Sequence, residues 1–176
     1  STRVHLTARA GIGKTRLLRD LATRLRAMRS RVIMVGGSLG MRDVEYALAG
    51  ELAAGLASLP GRQAIAPESA ATLVELNPSL STWFDRPPRH TLREDLLRAR
   101  TLAVRELLAA VSFEHPVAVL IDDVHWWDDA STTLIAAAVE GIGDSRVLLV
   151  TAGRPESRLS PLLVDTGTTQ VELEPL

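Results

Sequence analysis

The chain has 176 residues, a formal charge of −1 and no cysteine. That length fits one domain of about 100–200 residues, and 46% hydrophobic against 23% charged residues excludes a disordered or collagen-like chain. The lack of cysteine removes disulfide and thiolate chemistry and suits a cytoplasmic protein; no apolar run nears the ~20 residues of a membrane span, and the first residues are too polar for a signal peptide.

Val4–Thr7 reads as a short strand, followed at once by Ala-Arg-Ala-Gly-Ile-Gly-Lys-Thr. From Lys14 the pattern turns helical, with Leu17, Leu18, Leu21, Leu25 and Met28 expected on one face and arginines on the other. Arg31–Val35 reads as a buried strand ended by Gly36 and Gly37, and Val44–Leu59 as an alanine- and leucine-rich helix stopped by Pro60-Gly61. Residues 60–90 hold five of the nine prolines and predict an irregular insertion with one short helix at Ala70–Leu76. Thr91-Leu92-Arg93-Glu94 is a capping-box sequence that opens a long helix to about Phe113. Val117–Ile121 is an apolar strand closed by Asp122 and Asp123, Asp129–Val139 a helix, Arg146–Thr151 a strand and Val171–Leu173 a weaker one. Continuous apolar strands alternating with helices predict an α/β fold, a three-layer sandwich around a mainly parallel sheet of about five strands.

Of the 20 basic residues, 19 are arginine and one is Lys14. Residues 1–31 hold nine basic groups and one acid, Asp20, for +8, so the remaining 145 residues, with 11 basic and 20 acidic groups, carry −9. Such a basic block can attract phosphate, or it can be a solvated helix face.

Ala8–Thr15 fits the phosphate-loop pattern [Ala/Gly]-x-x-x-x-Gly-Lys-[Ser/Thr] between a strand and a helix. Ordinary residue frequencies give such an octet on the order of once in a hundred chains of this length. Gly11 and Gly13 allow a tight turn that aims N–H groups of Ala10, Gly11, Ile12, Gly13, Lys14, Thr15 and Arg16 at phosphate oxygens, and the helix start adds its positive dipole end. Lys14 is expected on the β- and γ-phosphates, and the Thr15 hydroxyl on Mg²⁺. An ammonium is compact where a guanidinium is a wide planar fork, which explains a lone lysine at this position in an arginine-biased chain. Ala8 stands where most such loops have glycine.

Ligands of parallel sheets bind at the carboxyl ends of the strands, where this chain delivers Asp122 and Asp123. Asp122 is the candidate Mg²⁺ ligand, and Asp123 the candidate to orient or deprotonate the attacking water. Both could instead be solvent-facing turn acids.

The run Asp122-Asp123-Val124-His125-Trp126-Trp127-Asp128, taken with Gly11-Ile12-Gly13-Lys14-Thr15-Arg16-Leu17-Leu18, resembles the signal-transduction ATPases with numerous domains. Within them it is most similar to the nucleotide-binding domain of the large ATP-binding LuxR-type transcriptional regulators. The resemblance implies the phosphate-loop NTPase fold and a switch domain that binds ATP or ADP with Mg²⁺ and hydrolyses slowly. A nucleotide-binding assembly module without significant turnover is the alternative, since Asp123 is one methylene shorter than the glutamate often found there.

The resemblance also places His125 and Trp126 just past the active-site acids, His125 contacting the γ-phosphate region, and Arg154 as the γ-phosphate sensor beside Lys14 and Asp123 in catalysis. Physically, a guanidinium at the end of an adjoining strand can pair with phosphate bidentately. Trp127 stands where the family usually has a small residue and is assigned to packing, and Asp128 to capping the next helix. The family usually carries a Gly-Arg-Glu segment before the first strand, and a helical lid and winged helix after the last. The chain is therefore expected to be the core of a larger regulator whose further partners are that lid, the winged helix, sensor repeats and an effector domain. Self-association driven by nucleotide is also implied, with DNA contacted only through the effector domain. No Asn-Lys-x-Asp motif is present, so adenine is expected over guanine.

Overall fold

A computed structural model describes residues 1–84, 95–143, 145–155 and 167–174. Five strands, β1 (Thr2–Thr7), β2 (Arg31–Gly36), β3 (Val117–Asp122), β4 (Val147–Gly153) and β5 (Thr168–Glu172), form one sheet in the order β2-β3-β4-β1-β5. Every pairing is parallel, so all carboxyl ends lie along one edge. All six positions of β3 are buried, as expected of a strand covered on both faces, whereas β5 is a largely exposed edge strand.

Helix α1 (Lys14–Ala27) covers one face, packing Leu18 and Ala22 against Leu6, Ala118, Leu120, Val150 and Ala152. The opposite face carries α2 (Ala47–Ala57), α3 (Pro67–Leu76), α4 (Leu96–Ser112) and α5 (Asp129–Glu140), whose leucines and alanines join Ile33, Val35, Val119 and Ile121 in the larger core. Fully burying a residue such as Leu52, Leu107 or Leu134 stabilises the fold by about 1.5–3 kcal/mol. The three-layer α/β sandwich with a parallel five-stranded sheet agrees with the sequence reading.

Several details differ from that reading. Leu17 and Met28 are 40% and 75% exposed, because α1 meets the sheet along the narrow stripe of Lys14, Leu18 and Ala22, flanked by half-buried Leu21 and Leu25. Helix α2 starts at Ala47 rather than Val44, after Tyr46 adopts a left-handed backbone. Helix α3 reaches back to Pro67, since proline at the first helical position has no needed N–H to lose. It gives the insertion more regular structure than predicted, together with short 3-10 turns at Arg62–Ala64 and Pro78–Thr82. The capping box at 91–94 lies outside the described residues; α4 begins after Asp95. Strand β5 is mostly polar, with Val171 near its end, and begins at Thr168, three residues before the expected Val171. Among the described residues no helix is long and apolar enough to cross a membrane.

Candidate nucleotide site

Strand β1 ends at Thr7 and the chain turns through Ala8–Gly13 into α1. Gly11 and Gly13 hold φ of +83° and +99° with nothing near the position a Cβ would take, so both are demanded by backbone conformation rather than by crowding. The Ala8 N–H donates to Gly153 O at 3.2 Å, which fastens the loop to the end of β4. Lys14 is buried, and its Nζ donates to the carbonyls of Ala8 at 2.9 Å and Arg9 at 3.0 Å, bracing the turn from within. The first N–H groups of α1 have no partner inside the helix and form the positive end of its dipole.

Strand β3 sets Asp122 opposite this turn. Thr15 Oγ1 donates to Asp122 Oδ2 at 2.5 Å, joining the two residues singled out as Mg²⁺ ligands although 107 positions separate them. The other oxygen, Oδ1, accepts the N–H of Asp123 at 2.9 Å, which fixes the carboxylate's rotation. Two hard oxygen donors of this kind fit Mg²⁺, which keeps several waters and takes further oxygens from phosphate. Among the described residues no cluster of three or more His, Cys, Asp or Glu side chains exists that would make a purely protein-built metal cage.

Asp123 departs from strand geometry with φ +51°, and its side chain is 45% exposed. Its Oδ1 lies 3.8 Å from His125 Nδ1, too far for a hydrogen bond but close enough for attraction. The His125 ring packs on Trp126 with centroids 4.8 Å apart, and both ring nitrogens are buried without a hydrogen-bond partner. Burial pushes the His125 pKa below its ordinary value; Asp123 opposes that shift, Arg154 and Lys14 reinforce it, and Asp122 opposes it. Those influences bring Arg154, Lys14, Asp122 and Asp123 into electrostatic reach of one imidazole. Arg154 follows Gly153, the residue in register with Thr7 at the start of the phosphate loop. Ala10 and Arg16 are exposed at the loop and Ile12 is half-buried.

Asp128 caps α5, its side chain accepting the Ser131 N–H, and Trp127 is buried in the larger core. The sequence reading missed Gly37, taken only as the end of a strand. A Cβ there would lie 2.6 Å from the Asp123 carbonyl oxygen, so β2 can approach the acidic loop only through glycine. The one signal for this was that a second glycine after Gly36 is not needed to stop a strand.

Residues 2–150 match the AAA ATPase domain family. The chain belongs to that family. As an AAA ATPase domain it is a nucleotide-binding unit. The domain is 34% identical over 182 residues to an uncharacterized protein of Rhizobium meliloti (strain 1021), covering 95% of this chain and 17% of that one. The chain therefore spans about a sixth of the length of that relative. A crystal structure of a DNA replication initiation factor is similar to the domain with a TM-score of 0.48 at 15% identity, over 98% of this chain and 40% of that chain.

Proposed function

We propose that this AAA ATPase domain is a Mg-ATP-binding, slowly hydrolysing switch in a multidomain signalling or transcriptional regulator of the LuxR-type class it resembles. The observation that carries the reading is the bond from Thr15 to Asp122, which joins a phosphate loop to an acidic strand end. In this reading Lys14 and the N–H groups of Ala10–Arg16 hold the phosphates, and Thr15 and Asp122 hold Mg²⁺. Arg154 and His125 line the γ-phosphate side. A water attacks the γ-phosphorus in line, its proton passes to the Asp123 carboxylate, and the bond to the ADP oxygen breaks to leave ADP and phosphate. Loss of the γ-phosphate releases the charges gathered around it and biases a two-state arrangement with a lid, winged helix and sensor domains outside this chain. Nucleotide-dependent self-association and DNA contact through a separate effector domain belong to the same proposal. A cytoplasmic setting, where ATP is supplied, fits the absence of cysteine.

A second reading, a nucleotide-holding assembly module without turnover, is favoured by the 45% exposure of the Asp123 side chain, since efficient transfer to water needs a more enclosed base. Calorimetry with ATP and Mg²⁺, followed by single-turnover phosphate release, tests both. Binding with measurable release supports the switch; binding without release supports the assembly module; absence of binding overturns both.

A further inference from the structure

Asp128 does more than begin α5. Its Oδ1 accepts the Ser131 N–H at 2.7 Å, capping its own helix, and also the N–H of Tyr46 at 2.8 Å, from a residue 82 positions away at the start of α2. Ser131 Oγ accepts the N–H of Ala49 in the first turn of α2 at 2.9 Å. Side chains of one helix thus satisfy the free N–H groups of two neighbouring helix ends, with Asp128 only 4% exposed and Ser131 not exposed at all. Tyr46 holds φ +62°, a conformation side chains other than glycine rarely adopt, and its ring lies 4.3 Å from the Arg100 guanidinium.

The same junction is closed from β2. The Gly37 N–H donates to Asp122 O at 3.0 Å, and a Cβ on Gly37 would meet not only Asp123 O but also Trp126 Cβ at 3.1 Å and Trp127 Cδ1 at 3.3 Å. A backbone carbonyl cannot swing aside as a flexible side chain can, so added bulk here must move Asp123 itself. Asp123 and Tyr46 are two of only three non-glycine residues with positive φ among those described, and they flank this junction. Such conformations persist where the surroundings over-determine them.

We propose that Gly37 and Asp128 are positioning residues of the nucleotide site: they clamp the loop Asp123–Trp127 against the connection between β2 and α2, fix the direction of the Asp123 carboxylate, and tie that direction to the N-terminus of α2. The proposal rests on the reading of Asp123 as the group that receives the proton of the attacking water. Gly37 bears on Asp123 and Asp128 holds Tyr46, both at this one junction, so a shift of the loop disturbs the start of α2.

The test compares Gly37→Ala, Asp128→Ala and Asp128→Asn with the unaltered 176-residue chain. Amide hydrogen exchange is followed at Trp126, whose N–H donates to Asp123 O at 2.9 Å, and at Trp127, whose N–H donates to Val124 O at 3.2 Å. Gly37→Ala and Asp128→Ala are expected to speed exchange at both by roughly tenfold or more. They should also slow single-turnover hydrolysis by roughly tenfold or more while leaving the ATP dissociation constant within about threefold. Asp128→Asn keeps an acceptor oxygen and is expected to restore both measurements. If Asp128→Ala does not fold, Ser131→Ala, which removes only the Ala49 tie, takes its place with the same expectation for exchange.

Unchanged exchange at Trp126 and Trp127 overturns the proposal, as does a loss of ATP affinity in step with the loss of hydrolysis. If the unaltered chain binds ATP but releases no phosphate, the hydrolytic reading falls by itself. The exchange measurement then still decides whether the loop is clamped.

Discussion

The turn from Ala8 to Lys14 and the loop from Asp123 to Asp128 meet at the same edge of the sheet, but they hold their shapes by different means. The first is shaped mainly by its own residues, two glycines at positive φ in open space and a lysine that folds back onto carbonyls five and six positions earlier, and is tied outward through Ala8 N–H to Gly153 O. The second is shaped by distant ones, with Thr15 holding Asp122, Gly37 lying against Asp123 O, and Asp128 gripping Tyr46. Two kinds of glycine make the contrast concrete. Gly11 is required because a side chain would strain its backbone, whereas Gly37 is required because there is no room for one. A loop built from its own backbone tolerates change elsewhere in the molecule; a loop built from remote supports transmits it.

Substitutions can break or sharpen this contrast. The largest expected effect is that of Asp123→Asn, which removes a candidate general base and should lower the single-turnover rate by roughly 10²–10⁴-fold while ATP affinity stays within about threefold. If affinity falls equally, the second loop serves as scaffold rather than chemistry. Lys14→Ala comes next, removing a charge-assisted contact of about 1.5–3 kcal/mol and weakening ATP binding by roughly 10–150-fold in calorimetry. An affinity within twofold of the unaltered chain would end the phosphate-loop assignment.

Asp128→Ala leaves buried helix-end donors without their acceptor and should cost about 1–2 kcal/mol of global stability in urea unfolding. Gly11→Ala meets no atom within 4 Å, so its cost of about 1–2 kcal/mol is conformational. It should appear mainly as weakened nucleotide binding, with exchange at Trp126 and Trp127 unaltered. Altered exchange there would mean that the two loops are one unit.

The smallest effect is that of pH. Burial lowers the pKa values of His5 and His125 below their ordinary 6.5, so the unfolded chain binds more protons than the folded one as pH drops. Their contribution to stability is complete above about pH 6.5 and declines on acidification through the depressed folded values. His5, 2% exposed beside Thr151 on β4, is the more buried of the two, so His5→Gln should flatten the melting temperature between pH 7.5 and 5 more than His125→Gln does. The reverse ranking would assign the pH sensitivity to the second loop.

The contrast between the loops also explains what the sequence made legible. Gly11, Gly13, Lys14 and Thr15 are consecutive or nearly so, and the turn they form depends on local spacing, so a sequence pattern marks it. The strand that delivers Asp122 announces itself as an apolar run. Gly37 and Tyr46 carry no such mark, because their importance arises from a carbonyl and a carboxylate more than eighty positions away. The errors in α1 have a related source. Periodicity ranks Leu17 and Met28 with Leu18, and only the sheet's footprint on the helix separates them. Strand β5 carries a single apolar residue, Val171, near its end; the rest of it is a strand because the edge of β1 is there to pair with it.

The position of β1 in the sheet bears on how the chain is made. Among the described residues β1 pairs with β4 and β5, while β2 pairs with β3, which also pairs with β4. During synthesis β1 precedes β2, β3 and β4, and its described sheet partners are β4 and β5, so it joins neither until residues 147–153 have left the ribosome. The helices of the larger core and the β2–β3 pair can assemble before then, but the phosphate loop cannot be anchored to Gly153 O. Under the proposed function, nucleotide is therefore expected to favour the late step in which β1 joins β4 rather than the earlier pairing of β2 with β3.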